Sequence, residues 1–460
     1  MQPHSKKSRA HFPKSKSDHL LGWDTGDSGH IGFTGTAETK PIWYSGTGHQ
    51  LTLGVTGSGK AVSSAIPQAL SYQGSLICFD PKGEIAQVTR RYREEILGQQ
   101  IAVLAPFANG DGGFNPFDLA KFVDDSDYDF ASSLASIIGG SSQPSSYSRS
   151  STNDEFWQNW GVNLLTGVIG AAMEKRLSSV SINAIPKILK ADDVTYNLAV
   201  LLDTNKPSEA FYREIAAFLQ LTETTRSGVL ATSQSYFRGF SGDGVMKMLE
   251  KTTFDLEGFI NGTKPTTIYI TIPPEKLVSH SRLVCLLFGS LILALFSRKF
   301  IPTHKTLIQL DEAAALGTFE PLRTLLTLGR GQGVICHSYW QDLSQIKNNF
   351  FDWQTILNNH NVIRILGASN YIQATELAGI YGIPAKKLLQ QTPQEQALIL
   401  NGEFQCCQRV NYLQDAFFAG LFDPNPRYID PYHTEDNRPE KGKGTISRQH
   451  PAPSPASPNA

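Results

Sequence analysis

The stretch from Leu51 to Ala61, LTLGVTGSGKA, constrains the fold of this chain more than any other segment. Gly54 and Gly59 enclose four residues and Lys60 follows directly. In this G-x-x-x-x-G-K spacing, successive backbone N–H groups turn inward around a phosphate chain and the lysine contacts its outer oxygens. An apolar strand pattern precedes the loop and a helix is predicted after it. This context favours an α/β nucleotide-binding fold over an incidental Gly-rich loop.

The loop departs from the usual motif at Ala61, where a Ser or Thr hydroxyl normally holds magnesium. One protein ligand of the metal is therefore missing, although the phosphate-binding part of the motif is intact. We predict that ATP and Mg²⁺ are the cofactors. The residues predicted to bind the nucleotide are Gly54, Val55, Thr56, Gly57, Ser58, Gly59, Lys60 and Ala61.

A second motif, LIQLDEAAALG, places two carboxylates at the end of an apolar strand. Asp311 is predicted to hold the magnesium that bridges the outer phosphates, and Glu312 is predicted to polarise the attacking water. Two residues are needed because the metal fixes geometry while a separate base accepts the proton. The competing interpretation is that both side chains only cap the helix that begins at Ala313.

Charged residues also follow an earlier predicted strand, in the sequence FDPKGEI from Phe79 to Ile85. These side chains either face the nucleotide or cap the next helix, and the sequence favours neither interpretation. The strand, helix and strand up to this point form a parallel unit, in which ligands bind at the carboxyl ends of the strands.

Two further side chains are candidates for contact with the outer phosphate. Gln341 ends a strand predicted to lie between the two motif-bearing strands, although it is also placed to cap the following helix. Arg330, in a Gly-Arg-Gly turn, is predicted to reach a neighbouring subunit's nucleotide as an arginine finger. The alternatives are that Arg330 has no catalytic role and that Arg364, on a later strand, is the finger.

The spacing of apolar residues divides the chain into segments. Strand patterns surround the phosphate loop and return at Thr266 to Ile272, whereas the intervening residues have helical spacing, which predicts an inserted all-α domain. Both ends of the chain are polar and lack apolar periodicity, so we predict that they are disordered. The predicted segments are a basic arm over 1–20, the first part of the nucleotide domain over 21–120, the all-α domain over 121–255, the second part of the nucleotide domain over 256–433 and a tail over 434–460.

Composition excludes several functional classes. The chain has 41 basic and 42 acidic side chains, so nucleic acid or lipid must be contacted through local patches. The chain has five cysteines, an odd number, and we interpret them as reduced thiols that pack in the protein interior. The apolar run Leu283–Ser297 is shorter than the about 20 residues that span a bilayer, and a buried helix is predicted there. No secretory signal is predicted, because the first twenty residues are basic without an apolar core behind them.

Several segments resemble, in the same order and at similar spacing, the TraG-type coupling ATPases of type IV secretion and conjugation, within the RecA-like P-loop NTPases. The resemblance covers roughly Gly46 to Gly382, and DEFW and TLGRGQGV are its most specific parts. The segments are GVTGSGKAVSSAIPQAL, FDPKGE, NDEFW, TIYITIPPEKL, LDEAAALG, LTLGRGQGV and QDLSQI.

The resemblance implies a RecA-like α/β nucleotide domain interrupted by an all-α domain, with a homo-hexameric ring whose channel passes DNA or protein. Family members often carry Gly in place of Ser or Thr after the lysine, followed by an apolar helix that ends in Ile-Pro. Ala61 with Ile66 and Pro67 looks like that variant, which weakens the argument that Ala61 marks an inactive site. The family usually begins with membrane-spanning helices, which are not predicted here.

We therefore predict an ATP-hydrolysing coupling protein that drives DNA or a DNA–protein complex into a type IV secretion or conjugation channel. Its predicted partners are DNA or protein cargo, channel components and further copies of itself. It is expected in the cytoplasm, recruited to the inner face of the membrane by those components. The alternatives are a cytosolic DNA translocase of the FtsK type and, because of Ala61, a scaffold that binds nucleotide without turnover.

Overall fold

The computed structural model describes residues 18–24, 40–108, 110–123, 125–140, 152–174 and 180–428. Residues 1–423 form one compact unit, and a second unit comprises 424–460, of which 424–428 are described. Most of the predicted basic arm, most of the Ser-rich loop that follows Gly140 and the predicted tail lie outside these ranges. The boundary of the arm at residue 20 is wrong, because His19 and Leu20 are buried and begin the first strand.

Eleven strands of the described residues form one mixed sheet. They are β1 (His19–Asp24), β2 (Lys40–Tyr44), β3 (His49–Leu53), β4 (Leu76–Phe79), β5 (Gln100–Leu104), β6 (Thr266–Ile270), β7 (Thr306–Leu310), β8 (Val334–Trp340), β9 (His360–Ile365), β10 (Glu395–Leu400) and β11 (Glu403–Gln408).

Their order across the sheet is β2-β1-β11-β10-β9-β3-β8-β7-β4-β6-β5. The strands from β9 to β5 are all parallel to their neighbours, and β10, β11, β1 and β2 extend this core as antiparallel strands. β3, β4, β7 and β8 are completely buried, as expected for parallel strands with both faces covered. The predicted parallel-rich α/β class is confirmed.

The described helices are α1 (Ile66–Ser71), α2 (Glu84–Arg91), α3 (Asp127–Gly140), α4 (Thr152–Glu174), α5 (Ala184–Leu189), α6 (Val194–Asn205), α7 (Glu209–Leu219), α8 (Glu223–Ser235), α9 (Asp243–Met248), α10 (Leu256–Ile260), α11 (Ser281–Phe296), α12 (Glu320–Leu328), α13 (Leu343–Asn349), α14 (Trp353–Asn358), α15 (Tyr371–Tyr381) and α16 (Ala385–Leu389). Helices α3 to α10 follow one another between β5 and β6 with no strand among their described residues. This order agrees with an all-α insertion, whose boundaries at 121 and 255 remain a prediction.

Helix α11 joins the sheet to the helical segment. Phe288 packs edge-on against Phe79 of β4 with ring centroids 5.6 Å apart. On the other side, a Cβ at Gly289 would lie 2.5 Å from a methyl group of Ile137 on α3, so only glycine allows this approach. The predicted buried helix is therefore present. Among the described residues, no helix has both the length and the apolar character required to cross a membrane.

The apolar residues in the first half of α4 are only partly buried. Leu164 and Leu165 are fully enclosed, and Trp157 and Trp160 are partly covered by the hydrophobic core. Phe156 is 42% exposed and meets Trp157 edge-on with ring centroids 5.1 Å apart. Helix α4 therefore begins outside the core and enters it only after its first turns.

Candidate nucleotide-binding site

The phosphate loop follows β3 and is anchored to the neighbouring strand. The Gly54 N–H donates to the Trp340 carbonyl at the end of β8, at 3.1 Å. Gly57 and Gly59 have φ values of 82° and 85°, which side-chain-bearing residues rarely adopt. A Cβ at Gly54 would lie 2.5 Å from Ser58 Oγ, so the glycine permits the tight return of the loop. The backbone conformation at each of these three positions therefore requires or favours the glycine that the motif spacing predicts.

Lys60 is folded back onto this loop. Its Nζ donates to the carbonyl oxygens of Gly54 and Val55, at 2.5 and 3.2 Å. Burial lowers the pKa of Lys60, assisted by the charge of Lys82, while the negative charge of Asp311 opposes that shift. The Lys60 ammonium group is thus hydrogen-bonded to uncharged carbonyls, and it can exchange these partners for a phosphate.

The chain widens into a π-helical turn over Ala61–Ala65 before α1 begins, where the sequence predicts a helix directly after the loop. Ile66 donates its N–H to the Ala61 carbonyl, five residues back. Pro67 has no N–H to donate to the Ser63 carbonyl, so the α-helical bond at that position cannot form. The proline therefore changes the turn that precedes it and does not kink the following helix.

Arg364 of β9 satisfies the group that the proline leaves open. Its Nη2 donates to the Ser63 carbonyl at 2.8 Å, Nη1 donates to Ser64 Oγ at 2.6 Å and Nε donates to Gln396 Oε1 at 2.9 Å. The side chain is fully enclosed, and burial lowers its pKa. Arg364 therefore supports the turn after the phosphate loop, and the hypothesis that it is an arginine finger is wrong.

Asp311 and Glu312 follow β7, which is separated from β3 by β8 alone. The Asp311 N–H donates to the Phe79 carbonyl at 3.1 Å. Burial raises the pKa of Asp311 to about 7, and the charge of Asp80 adds to the shift while Lys82 and Lys60 oppose it. The two predicted carboxylates and the predicted lysine therefore act on one another electrostatically, as a single site requires.

Glu312 has φ 141° and ψ 63°, a conformation that is strained for any residue with a side chain. Such strain costs on the order of 1–3 kcal/mol and often marks a functional residue. The short 3₁₀-helix Ala313–Leu316 begins after it with no side-chain hydrogen bond at its cap. The interpretation of Glu312 as a helix cap is therefore contradicted.

One charged residue after β4 caps the next helix, as one of the two interpretations predicts, and another lies near Lys60 and Asp311. Asp80 Oδ2 accepts the Ala86 N–H at 2.8 Å and so caps α2, while Oδ1 is buried without a hydrogen-bond partner. Burial raises the pKa of Asp80 to about 6. Lys82 lies close enough to shift the pKa values of both Lys60 and Asp311. Lys82 is thus a second cation at the site.

The donor set fits a magnesium ion that is shared with a nucleotide. Asp311 is a carboxylate whose charge is disfavoured by burial and by Asp80, and a cation would relieve that cost. Within the described parts of the chain, no three or more His, Cys, Asp or Glu side chains are grouped to hold a metal by themselves. Because Ala61 also supplies no hydroxyl, phosphate oxygens and water must complete the coordination.

Gln341 directly follows β8, between the strands that carry the two motifs, as predicted. Its backbone N–H donates to Gln345 Oε1 at 2.8 Å. The cap of α13 is Asp342, whose Oδ1 accepts the Gln345 N–H at 3.0 Å. Gln341 is therefore not the helix cap, and the residue stands at the same edge of the sheet as Asp311.

Arg330 lies at the opposite edge of the sheet from the phosphate loop. It precedes β8, a strand of seven residues that extends about 20 Å before it reaches the edge that carries the loop. Its Nη2 donates to the carbonyl of Asn359, before β9. The structure therefore does not bring Arg330 to the nucleotide site of its own chain.

Sequence reasoning missed a segment that closes the site. The hairpin of β10 and β11 turns through Asn401 and Gly402, which have φ values of 53° and 91°. Arg409, directly after β11, donates from Nη1 to the Ser58 carbonyl of the phosphate loop at 2.7 Å. The Asn-Gly pair between two apolar stretches is the signal from which the hairpin was predictable. Nothing local in the sequence indicates the contact with the loop.

A phosphate loop after one parallel strand, with two carboxylates after the next strand but one, defines a RecA-like P-loop nucleotide-binding protein. Residues 11–384 match the model of the family described as "Type IV secretory system Conjugative DNA transfer". The chain belongs to this family.

Curated relatives carry names from the same systems. The chain is 25% identical over 317 residues to a probable conjugal transfer protein TraG of Sinorhizobium fredii (strain NBRC 101917 / NGR234), which covers 66% of this chain and 47% of the relative. It is 24% identical over 310 residues to the type IV secretion system-coupling protein VirD4 of Bartonella quintana (strain Toulouse), covering 66% of this chain and 48% of the relative. The chain spans about half the length of the curated relatives it matches.

Solved structures confirm the fold. The bacterial conjugative coupling protein TrwBdeltaN70 in its unbound monoclinic form superposes with a TM-score of 0.63 at 14% identity, over 80% of this chain and 85% of that chain. The plasmid coupling protein TrwB in complex with ADP and Mg²⁺ gives a TM-score of 0.61 at 14% identity, over 79% of this chain and 86% of that chain. The predicted RecA-like architecture is therefore correct.

Proposed function

We propose that this chain is a magnesium-dependent ATPase of the coupling-protein type, which drives DNA or a DNA–protein complex into a type IV secretion or conjugation channel. The observation that carries the proposal is the grouping of Lys60, Asp311 and Glu312 around the phosphate loop. The family match and the names of the relatives support the part of the proposal that concerns the DNA cargo and the secretion channel.

In the proposed reaction, backbone N–H groups of the phosphate loop bind the phosphates, and Lys60 turns from its two carbonyls to the outer oxygens. Asp311 would hold the magnesium ion, which when bound neutralises charge on the outer phosphates. Glu312 accepts a proton from the attacking water. Gln341, at the same edge, orients that water or contacts the outer phosphate.

The proposal extends to assembly and placement. Arg330 lies about 20 Å from the phosphate loop of its own chain and belongs, in the proposal, to the site of a neighbouring copy in a homo-hexameric ring. Channel components would hold the ring at the cytoplasmic face of the membrane. The family description, which names a secretory system, supports this placement.

The test is ATP hydrolysis by the purified chain with and without single- and double-stranded DNA, in the presence and absence of purified channel components. We expect hydrolysis that requires magnesium, increases with DNA and increases further with the channel components. Stimulation by DNA with no response to any channel component would favour a free DNA translocase. Binding of ATP without turnover under every condition would favour a scaffold and contradict the proposal.

A further inference from the structure

A cleft of about 760 Å³ opens beside the phosphate loop, on the side away from β8. Its walls are the loop itself, the segment 366–369 after β9, and residues 391–394 and 408–411 around the β10–β11 hairpin. The hairpin walls lie beyond residue 384, where the family match ends. A triphosphate on the loop has this cleft beside it, with space for the remainder of a nucleotide.

One side chain of the cleft is incompletely satisfied. Both polar atoms of the Gln391 carboxamide are buried, and neither has a hydrogen-bond partner. Leaving a buried polar group unpaired is unfavourable, so a ligand that pairs with the amide gains binding free energy. A Cβ at Gly367 would lie 3.9 Å from the Oε1 atom, and the φ of 88° at this position also favours glycine, so no side chain from residue 367 stands against the amide.

The charged groups of the cleft are already occupied. Arg409 donates to the carbonyls of Ser58 and Glu395. Asp415 Oδ2 accepts from Trp23 Nε1 and from the Asn411 N–H, both at 2.8 Å. Side-chain amides make up much of the remaining polar lining, namely those of Gln391, Gln394, Gln408, Asn411 and Gln414. Amides offer a donor and an acceptor together, which matches the edge of a nucleobase better than it matches phosphate.

We infer that this cleft binds the base of a purine nucleoside triphosphate and that the Gln391 carboxamide recognises the base edge. The inference rests on the proposed nucleotide site and adds its specificity-determining residue. A glutamine amide pairs with the N–H donor and ring-nitrogen acceptor of adenine through two parallel hydrogen bonds. Arg409 ties the hairpin wall to the loop, so the base and the phosphates are held by parts of the chain in direct contact.

The test compares three ligands on the full chain by calorimetry with magnesium: the β,γ-imido analogues of ATP and GTP, and inorganic tripolyphosphate. Gln391→Leu should weaken the ATP analogue about tenfold and leave tripolyphosphate within twofold of wild type. Gln390→Leu is the matched control, because this exposed neighbour does not line the cleft. Gln391→Glu, of nearly the same size, offers only acceptors and should shift the ratio of affinities from the ATP analogue towards the GTP analogue.

The outcomes separate this inference from the proposed function. Lys60→Ala should weaken all three ligands, because it acts on the phosphates. Gln391 variants that weaken tripolyphosphate as much as the ATP analogue, or that change neither the affinities nor the ratio, overturn the inference and leave the phosphate site intact. A wild-type chain that binds none of the three ligands overturns the proposed function and the inference with it.

Discussion

The carboxyl edge and the amino edge of the parallel sheet differ in how they hold their charged and titratable side chains. At the carboxyl edge, burial raises the pKa of Asp311 to about 7 and the charge of Asp80 adds to the shift, while Glu312 is held in strained backbone. At the amino edge, Arg330 is bonded to a backbone carbonyl, and burial lowers the pKa values of His49 and His360 to about 3 and about 4, so both imidazoles stay neutral.

The difference shows that the carboxyl edge keeps unfavourable interactions that a bound ligand can relieve. The carboxyl edge retains charges that only a cation and a phosphate can satisfy together, which is costly for the free chain and useful for binding and catalysis. The amino edge carries neutral imidazoles and Arg330, which in the proposed function serves another copy of the chain. The following predictions test this contrast.

The largest expected effect is at Arg330. Arg330→Ala should bind ATP normally but hydrolyse it about a thousandfold more slowly, because an arginine finger stabilises charge in the transition state. The measurement is steady-state phosphate release together with ATP affinity. Mixing this variant with Glu312→Gln should restore part of the activity, since some interfaces then combine an intact base with an intact arginine. No recovery, with subunit exchange demonstrated, would reject a role across the interface.

Glu312→Gln should slow turnover by about a hundredfold or more while ATP affinity stays within a few fold of wild type. The amide retains the size of the side chain but cannot accept the proton from water. Single-turnover hydrolysis and equilibrium binding distinguish the two effects. Glu320→Gln, an exposed acid paired with Arg323 on α12, is a matched control and should hydrolyse ATP at the wild-type rate.

A variant of Arg364 tests whether this buried arginine stabilises the turn after the phosphate loop and takes no part in hydrolysis. Arg364→Met should lower the free energy of unfolding by about 2 kcal/mol, because the Ser63 carbonyl and the Gln396 Oε1 lose a buried donor. Urea titration measures this change. Arg213→Met, on an exposed arginine paired with Glu209, should change the unfolding free energy little. An Arg364 variant of unchanged stability but slow hydrolysis would contradict the assignment.

The smallest expected effect concerns pH. A histidine with a lowered folded-state pKa binds its proton first in the unfolded chain, so its stabilising contribution is complete above pH 6.5 and is lost as pH falls towards the folded value. For His360, with a pKa of about 4, the loss between pH 7 and 5 is about 1–2 kcal/mol. His360→Gln should therefore flatten the acid side of the stability–pH profile, measured by urea titration at each pH. An unaltered slope would show that His360 is not neutral in the fold.

Sequence reasoning reached the parts of this structure that local patterns encode. The positions of Lys60, Asp311 and Gln341 at one edge follow from strand ends and from the parallel order, which the motifs themselves predict. The buried helix at Ser281–Phe296 follows from its uncharged apolar run.

The parts that it missed depend on contacts between distant residues. The sequence predicts the strand that carries Arg364, and an arginine finger is one interpretation of that residue. Its actual partner is the Ser63 carbonyl, which is free to accept only because of a π-helical turn that the spacing of apolar residues does not reveal. The sequence indicates no role for Arg409 or Gln391, because their closeness to the loop is set by the sheet order β10-β9-β3. Pairing of that kind is tertiary information.

The most direct test of the central claim is magnesium-dependent ATP hydrolysis by the wild-type chain and by Lys60→Ala, measured side by side with ATP affinity. The account predicts hydrolysis by wild type that disappears when magnesium is removed, together with weaker binding and loss of turnover in the variant. Wild-type hydrolysis that continues without magnesium, or that is unchanged in Lys60→Ala, would contradict the assignment of the carboxyl edge as an ATPase site.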